Sequence, residues 1–584
     1  MLSSSARGGL RLAALTTAFA LATVGCRCGV EGGAMISEGR EAAVEAARRE
    51  APVSPYGEPK QVVVRKLVIA DASQLDDPDL DLSAVEELDL AMSEIDGQER
   101  PLPLPLPEPD PEPGADTSAG APAPVGPSAQ SDQGEQPEQA PGPVLHPRCE
   151  GLDLHDVAAR APKLRSLRIS GCQAALHAGL SAFGERLEAL ELVDVELDAV
   201  TVARLSQLHG LDRLTLTRVS AEADALKPLA RNIAPSSVTL RELANDSPVA
   251  QIFTMLRGLQ HIRIEGPWAG HNTMILVGKA RELETLAVLD TGIGNFSLHQ
   301  LKPLDKLHRI EWRGLGFTDY SPQYIHKLPI DELVCHCPRF GDRGLHLLRL
   351  LPALRVLELP RSDISSAGLA ELVELQALEA LTIRYRDLDG QAFTAFASLP
   401  RLRRLILGPG RLEDPQAPGL DLLVGLRELE LDLEGFDDRS ARQLATLTKL
   451  ERLLLGGTSI SDEGLESLAE LRNLRVLELH HTRVTKQGLS HLAGLTHLEV
   501  LELDHTDLVD EGVEQLSGLS NLRDLRLDHT LITDAALPHL LGLKKLERLN
   551  LAGTVVTVEG VSVLEGLPEL EAVNLEGTRA LGER

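Results

Sequence analysis

Histidine and aspartate residues recur at a fixed spacing in the C-terminal part of the chain, and their side chains could bind a metal ion. The tripeptide Asp-His-Thr occupies 504–506 and 528–530, and His-His-Thr stands at 480–482, one step of 24 residues earlier. If copies of this segment stack like strands, about 4.8 Å apart, neighbouring imidazoles can share a divalent ion or a ligand carboxylate. Duplication of one repeat also explains the column, as a solvated ladder without chemistry, and on this simpler interpretation we predict no metal and no cofactor. The column consists of His480, His481, Asp504, His505, Asp528 and His529.

Signatures of catalysis are missing from the sequence. It contains no GxSxG elbow, no Walker loop, no HExxH and no glycine-rich turn of the dinucleotide-binding type. Asp77, Asp79 and Asp81 resemble the start of a calcium loop, but Leu82 stands where glycine is needed and Leu88 where the bidentate glutamate belongs. We therefore expect a protein that is not an enzyme.

Two pairs of cysteines need an explanation in a chain that is expected to leave the cytoplasm. Cys149 and Cys172 lie 23 residues apart, about one repeat, and are either a disulfide or two free thiols in the core. Cys335 and Cys337 flank His336, but a zinc site would need further ligands from other repeats. We therefore interpret Cys335 as a small core residue with a neighbouring thiol.

A repeat of 24 residues must position all of these side chains. The block that starts at Leu450 reads LERLLLGGTSISDEGLESLAELRN, and four similar blocks follow it without an insertion. Leu453 and Leu455 recur with a period of two and so point to one face of a short strand, whereas GLxxLxxL has the spacing of a helix face. Ser461 and Asp462 are helix N-cap types. Each repeat is therefore expected to form one strand and one short helix.

The shared pattern LxxLxLxxTx(I/V)(S/T)DxGLxxLxxLxx resembles the leucine-rich repeat family, closest to the subclass with a helix in each repeat. The resemblance implies an α/β solenoid, with a curved parallel sheet on the concave side, short helices on the convex side and a surface that binds other molecules. The register extends back to Leu164, and with two fainter units before it the chain holds about 18–20 repeats. Threonine replaces the family's usual asparagine at the ninth place, where its hydroxyl is expected to bond the turn of the neighbouring repeat.

The N-terminal part of the chain divides into segments of different composition. After a signal peptide at 1–25 we predict a partly helical tether at 26–61 and degenerate repeats at 62–96. Residues 97–148 hold fourteen prolines and cannot bury enough apolar surface to order themselves. Because the segment after them resembles the missing helix half of a repeat, we interpret 97–148 as a disordered insertion within the solenoid, which continues over 149–584. The alternative is a linker between a small N-terminal piece and the solenoid.

The N-terminus has the features of an export signal. Arginines precede the run LAALTTAFALATV, which is too short for a membrane span. The run ends in TVGC, which resembles the lipobox of bacterial lipoproteins and implies that Cys26 is acylated. Thr23 stands where the family has leucine, so cleavage after Ala20 or Ala22, giving a secreted or periplasmic protein, stays open. With lipidation, Arg27 favours the outer membrane by the family's rule.

The side chains at the third, fifth and seventh places of each block should point away from the core and form an exposed patch on the concave face. Mixed charge with a few apolar groups and no aromatic residues suits a protein or peptide better than a glycan. The net charge of −29 would repel nucleic acid and favours a basic or neutral partner, although an acidic balance also serves solubility. The patch consists of Val476, Glu478, His480, Val500, Glu502, Asp504, Asp524, Arg526 and Asp528.

The last block supplies a strand but no helix. Val561 and Leu564 of the preceding helix should therefore be only partly covered, which predicts weak self-association or partner docking at this end.

Three functions fit these patterns. The first is a non-enzymatic recognition scaffold at the bacterial cell envelope. The second is a substrate adaptor, because the ITDxGLxxL pattern resembles the repeats of F-box receptors, although the export signal and the lack of an F-box-like module oppose it. The third is an extracytoplasmic enzyme or metal-binding protein that uses the histidine column.

Overall fold

The computed structural model describes residues 152–579 apart from 223, 246, 363, 385–386 and 390, together with 66–69, 82–83, 85–90 and 149. For 66–69, 230 and 366 it describes the backbone alone. The predicted signal peptide, the lipidation site Cys26, the tether and the insertion at 97–148 lie outside the described residues. Within them, no helix is long and apolar enough to cross a membrane.

One parallel sheet of 21 strands runs through the described part of the chain, and a second sheet joins β5 to β7. Each strand pairs with the strand of the next repeat, and β14 and β15 share one repeat, so twenty repeats contribute to the long sheet. The predicted solenoid is thereby confirmed. In chain order the strands are β1 Lys66–Ile69, β2 Glu87–Leu90, β3 Ser166–Ser170, β4 Ala189–Val193, β5 Glu196–Leu197, β6 Arg213–Thr217, β7 Ser220–Ala221, β8 Ser237–Arg241, β9 His261–Glu265, β10 Thr285–Leu289, β11 Arg309–Arg313, β12 Glu332–His336, β13 Val356–Leu359, β14 Ala380–Ile383, β15 Asp387–Leu388, β16 Arg404–Leu412, β17 Glu428–Glu434, β18 Arg452–Leu454, β19 Val476–Glu478, β20 Val500–Glu502, β21 Asp524–Arg526, β22 Arg548–Asn550 and β23 Ala572–Asn574.

Short helices form the opposite side of the repeats. Each follows a strand after a turn, and many continue into a 3₁₀ turn that tightens the return to the next strand. The α-helices are α1 Leu154–Arg160, α2 Gln173–Gly179, α3 Ala199–Leu205, α4 Leu229–Asn232, α5 Ile252–Met255, α6 His271–Val277, α7 Pro322–Ile325, α8 Asp342–Leu347, α9 Ser366–Ala370, α10 Ala392–Ala397, α11 Asp438–Ala441, α12 Asp462–Glu466, α13 Lys486–Leu489, α14 Asp510–Glu514 and α15 Val558–Val561. The 3₁₀ helices are Leu180–Phe183, Pro248–Gln251, Asn295–Leu301, Leu348–Leu350, Glu371–Glu374, Leu420–Leu422, Arg442–Thr446, Ser490–Leu492, Gln515–Gly518, Asp534–Gly542 and Ser562–Gly566.

The core is a continuous column of leucines between the sheet and the helices. Leu453 and Leu455 from a strand and Leu465 and Leu468 from the helix side are all fully buried. A helix of one turn is too short to be stable by itself, so these elements depend on packing against the neighbouring repeats.

The early strands join the same sheet. β1 pairs with β2, and β2 pairs directly with β3, although 75 residues of sequence separate Leu90 from Ser166. Helix α1 precedes β3, and the Sγ atoms of Cys149 and Cys172 are bonded, with their Cα atoms 5.6 Å apart. The strand β2 and the helix α1 are therefore next to each other in the same solenoid, since β2 pairs with the strand that follows α1.

The ninth-place threonines act within their own repeat, and the predicted bond to the neighbouring repeat is wrong. The Oγ1 atom of Thr506 donates to the carbonyl oxygen of Leu503 at 2.6 Å, and the other five threonines repeat this bond to the residue three places earlier. The backbone facing the next repeat is already paired, since the N–H of His505 donates to the carbonyl of Asp528 at 3.0 Å. The hydroxyl thus closes the turn of its own repeat, and a backbone hydrogen bond joins this turn to the next repeat.

A carboxylate ladder connects several helix starts to the next repeat. Thr485 caps α13, and its backbone N–H and hydroxyl donate to Oδ1 and Oδ2 of Asp462 at 2.7 and 2.6 Å. Asp510 holds Thr533 in the same way, at 2.6 and 2.7 Å. The serine or threonine is thus the N-cap residue, and the aspartate beside it bonds the following repeat.

The ladder requires the glycine of the DxGL segment. A Cβ atom on Gly488 would lie 2.5 Å from Oδ1 and 2.9 Å from Cα of Asp462, closer than non-bonded atoms can approach. The same contact recurs between Gly464 and Asp438, where Oδ1 would be 2.6 Å away. Glycine is needed here for close approach between repeats.

The C-terminal end differs from the sequence-based expectation. Val561 and Leu564 are only 1 % exposed, so the predicted partly covered face is wrong. Leu567, Val573 and Leu575 belong to the same core cluster and complete it beyond the last helix. Self-association at this end stays a prediction. The exposed apolar surface that was expected to support it is absent at Val561 and Leu564.

We predict that Gly488→Ala destabilises the protein by about 1–3 kcal/mol, because the added methyl group must displace Asp462. In an ordinary helix the same substitution stabilises by up to about 1 kcal/mol. Urea unfolding followed by circular dichroism measures the change. Gly518→Ala is the matched control, since a Cβ there would meet nothing within 4 Å. Equal stability of the two variants would contradict the ladder's role.

Candidate functional site

The three strands β19, β20 and β21 carry the predicted binding patch in straight rows. Val476, Val500 and Asp524 are paired across the strands. Glu478, Glu502 and Arg526 form the second row. The parallel register therefore stacks side chains from the same repeat position about 4.8 Å apart.

Two members of the patch are buried, which corrects the expectation that all nine are exposed. Val476 is 9 % exposed and Glu502 is 8 % exposed. Side chains in the same row of the sheet contact one another, and Arg526 Nη1 lies 3.1 Å from Glu502 Oε1. Glu478, by contrast, is partly exposed and Arg526 is exposed. The accessible surface of the patch is thus smaller than alternation alone implies.

Burial makes Glu502 the most perturbed carboxyl of the patch. Desolvation raises the pKa of Glu502 to about 7, and the negative charges of Glu478, Asp504 and Asp524 add to this, while Arg526 opposes it. Burial, with the nearby charge of Glu478, also raises the pKa of Glu430 on β17. The acidic groups here repel one another, and a bound cation would stabilise their ionised forms.

From β17 onward the exposed side of the sheet is mainly acidic. Ten carboxylates stand on or directly after these strands, against three arginines. Arg526 and Arg548 are already engaged by Glu502 and Asp524. The carboxylates are Glu428, Glu430, Asp432, Glu434, Glu478, Glu502, Asp504, Asp524, Asp528 and Glu576.

In the N-terminal half of the same face arginines and carboxylates pair with one another, which the sequence analysis missed. Arg168 lies 3.1 Å from Asp89, and Arg263 lies 3.5 Å from Glu311, in a network that links successive strands. The Nε atoms of Arg168, Arg241 and Arg263 are buried without a hydrogen bond. In the C-terminal blocks, the side chains at the third, fifth and seventh places were predicted to point away from the core. The same rule applied to the weaker N-terminal repeats would have placed these arginines on the exposed face of the sheet.

The turn after each strand orients the histidine column. His481, His505 and His529 have positive φ angles of 54°, 54° and 55°. Glycine occupies the same turn in neighbouring repeats, at Gly457 and Gly553. A non-glycine residue in this conformation is uncommon, and histidine is among the types that adopt it more readily. The imidazoles stack, with ring centroids 4.1 Å apart for His481 and His505 and 4.4 Å apart for His505 and His529.

The structure brings five of the six column residues into two groups with the geometry of metal ligands. One group is His480, His481 and Asp504, and the other is Asp504, His505 and Asp528. Within each group the ligand atoms lie within 4.8 Å of one another, and Asp504 belongs to both. His529 stacks on this arrangement but belongs to neither group.

The cysteines at 335 and 337 form no such cluster in the described part of the chain. Both are fully buried, their Sγ atoms are bonded to each other, and the Sγ of Cys337 lies 3.7 Å from the carbonyl oxygen of Trp312. Their position is in the core, as expected for Cys335.

We predict that Glu502→Gln raises the free energy of unfolding by about 1 kcal/mol at pH 8 and has little effect at pH 5. A carboxyl whose pKa is raised in the folded state binds more protons folded than unfolded, so its stabilising contribution is lost as the pH rises through about 7. Urea unfolding at both pH values measures the difference from wild type. Glu466→Gln, on the exposed helix side, should show no such dependence, and a Glu502→Gln variant less stable than wild type at pH 8 would refute the argument.

The comparisons with known proteins agree with the repeat architecture. The family model described as "Leucine Rich repeat" matches residues 446–469 and 494–517. No curated protein matches the chain.

Three solved structures are similar to parts of the chain. An internalin from Listeria monocytogenes shares 17 % identity, with 64 % of this chain and 89 % of that chain covered and a TM-score of 0.32. A leucine-rich repeat protein from Leptospira interrogans shares 18 %, with 64 % and 86 % covered and a TM-score of 0.38. TLR13, in its complex with ssRNA13, shares 18 %, with 72 % and 71 % covered and a TM-score of 0.47. The strand and helix order of the described residues is that of a leucine-rich repeat solenoid, and the family model matches two of its repeats.

Proposed function

We propose that this protein is a non-enzymatic scaffold that recognises a protein or peptide partner along the exposed face of its sheet. Leucine-rich repeat proteins generally mediate protein–protein recognition. The observation that carries the proposal is the set of carboxylates on and directly after β17, β19, β20 and β21. In the described part of the chain, Glu430, Asp432 and Glu478 make no ion pair.

The charges along the sheet indicate the kind of partner. A basic segment would meet carboxylates whose mutual repulsion it relieves, so its binding gains from opposite charge and from the lowered cost of ionising Glu502. The arginines of the N-terminal half are paired with glutamates and aspartates. Because these arginines are neutralised, only the C-terminal half of the face is strongly charged, and a basic segment of the partner would lie there. Neutralised arginines do not favour the binding of nucleic acid.

We expect reversal of the exposed carboxylates to abolish partner binding while leaving the fold intact. The variant Asp432→Lys with Glu478→Lys replaces two partly or fully exposed groups, and surface substitutions of this kind change stability by about 0.5 kcal/mol or less. Full-length protein immobilised as wild type or as a variant is used to capture partners from a cell-envelope fraction. Proteins held by wild type at low salt should be lost from the variant.

The matched control carries the same change of net charge on the other side of the molecule. Glu466→Lys with Glu514→Lys alters two exposed glutamates of α12 and α14. It should capture the same proteins as wild type. Identical capture by all three forms would place binding away from the acidic part of the sheet.

The proposal includes export and a lipid anchor at the cell envelope. The TVGC segment and the apolar run before it support this, and the outer membrane is favoured by Arg27. A diacylated Cys26 would hold the protein on a bilayer through two chains, which is enough for stable attachment.

We expect Cys26→Ser to move the protein from the membrane to the soluble fraction. The control is Cys28→Ser, which removes a neighbouring thiol and should leave the protein on the membrane. Fractionation and labelling with an alkyne-tagged fatty acid give two independent readings. Membrane retention of the Cys26→Ser variant, or an unlabelled soluble wild type, would rule out the anchor.

A further inference from the structure

We propose that the turns that follow β19 and β20 bind a divalent transition-metal ion together. Asp504 is the central ligand, and imidazoles of the histidine column are the other ligands. Mixed imidazole and carboxylate ligands suit Zn²⁺, Co²⁺ and Ni²⁺ better than Mg²⁺ or Ca²⁺, which prefer oxygen alone. This site is independent of the protein partner proposed above, because the ion needs no other chain to bind.

Small movements of the side chains would bring the ligand atoms to the spacing that a bound ion requires. In the group His480, His481 and Asp504 these atoms lie within 4.8 Å of one another. Ligands around an ion with bonds of about 2.1 Å are separated by roughly 3–4 Å. Rotation about the side-chain torsions closes the difference, since His481 is exposed and His480 and Asp504 are partly exposed. The second group shares Asp504, so the ion can be held by ligands of either repeat.

The backbone holds these residues in a fixed relation. The N–H of His481 donates to the carbonyl of Asp504 at 3.0 Å, and the N–H of His505 donates to that of Asp528 at 3.0 Å. The positive φ of both histidines directs their rings into one stack, where glycine in the neighbouring repeats presents no side chain. Ligands that are positioned before binding lose little conformational entropy when the ion arrives.

The charges around the column favour a cation. Asp504 and Asp528 bring two carboxylates into one group whose ligand atoms lie within 4.8 Å of one another. The amide Nδ2 of Asn550 donates to Oδ1 of Asp528 at 2.5 Å and orients that carboxylate from behind. Arg526, the basic group closest in the rows of the sheet, is held by Glu502 instead. Nδ1 of His505 lies 3.2 Å from Oδ2 of Asp504, and in the described residues no lysine or arginine forms an ion pair with Asp504 or Asp528. A dication would therefore supply positive charge that no basic side chain supplies to these two carboxylates.

Two substitutions test the site without disturbing the fold. Asp504→Asn removes the carboxylate that both groups share. His481→Gly with His505→Gly installs the residue that Gly457 and Gly553 already supply at this turn, so the backbone conformation is retained. The control is His491→Gln with His539→Gln, which removes two imidazoles from the 3₁₀ helices on the other side of the repeats.

The measurement is calorimetric titration of untagged, metal-free full-length protein with CoCl₂ and with ZnCl₂, together with the visible absorption of bound Co²⁺. Wild type and the control should bind saturably with micromolar affinity and give Co²⁺ bands. Loss of a ligand typically weakens metal affinity by tenfold or more, so both site variants should bind at least ten times more weakly while their thermal midpoints stay near wild type. Absence of saturable binding to wild type at 1 mM metal, or equal affinity in wild type and Asp504→Asn, would overturn the proposal.

Discussion

No repeat of this protein can bury its own leucines, and this constraint governs the rest of the structure. Each strand has two to nine residues and each α-helix one or two turns, so neither is stable alone. Stacking supplies the missing core, and the bond from Asp462 to the N-cap residue Thr485 fixes where one repeat lies on the next. The glycine at 488 is needed because the carboxylate approaches its Cα so closely.

The same register creates the candidate site. When every strand is paired residue for residue with its neighbour, identical positions form columns, and a charged type that recurs in sequence must face its own copy. Histidines in such a column stack, and carboxylates in such a column repel. Burial is the main cause of the raised pKa of Glu502, to about 7, and of Asp528, and repulsion by neighbouring carboxylates adds to it. A surface of this kind is poorly compensated by its own chain and is improved by a bound cation, whether a metal ion or a basic segment.

The two halves of the sheet face differ in how their charges are balanced. In the N-terminal half, arginines such as Arg168 and Arg263 bridge carboxylates on other strands, so this region neutralises itself. In the C-terminal half, carboxylates exceed arginines and several have no partner in the described residues. The net charge of −29 hides this difference, since it averages over both halves and over the helix side. Recognition that depends on charge would therefore have a direction along the solenoid.

The sequence by itself determined the period, the strand and helix of each repeat, the inward leucines and the residues of the histidine column, because all of these follow from local alternation and from spacing along the chain. It did not predict that Val476 and Glu502 are buried, that Asp462 bonds the next repeat, or that Val561 is covered. These depend on side chains from other repeats, whose position relative to a given residue is set by stacking. Tertiary structure alone decided them, because burial and ionisation are properties of a residue's neighbours in space.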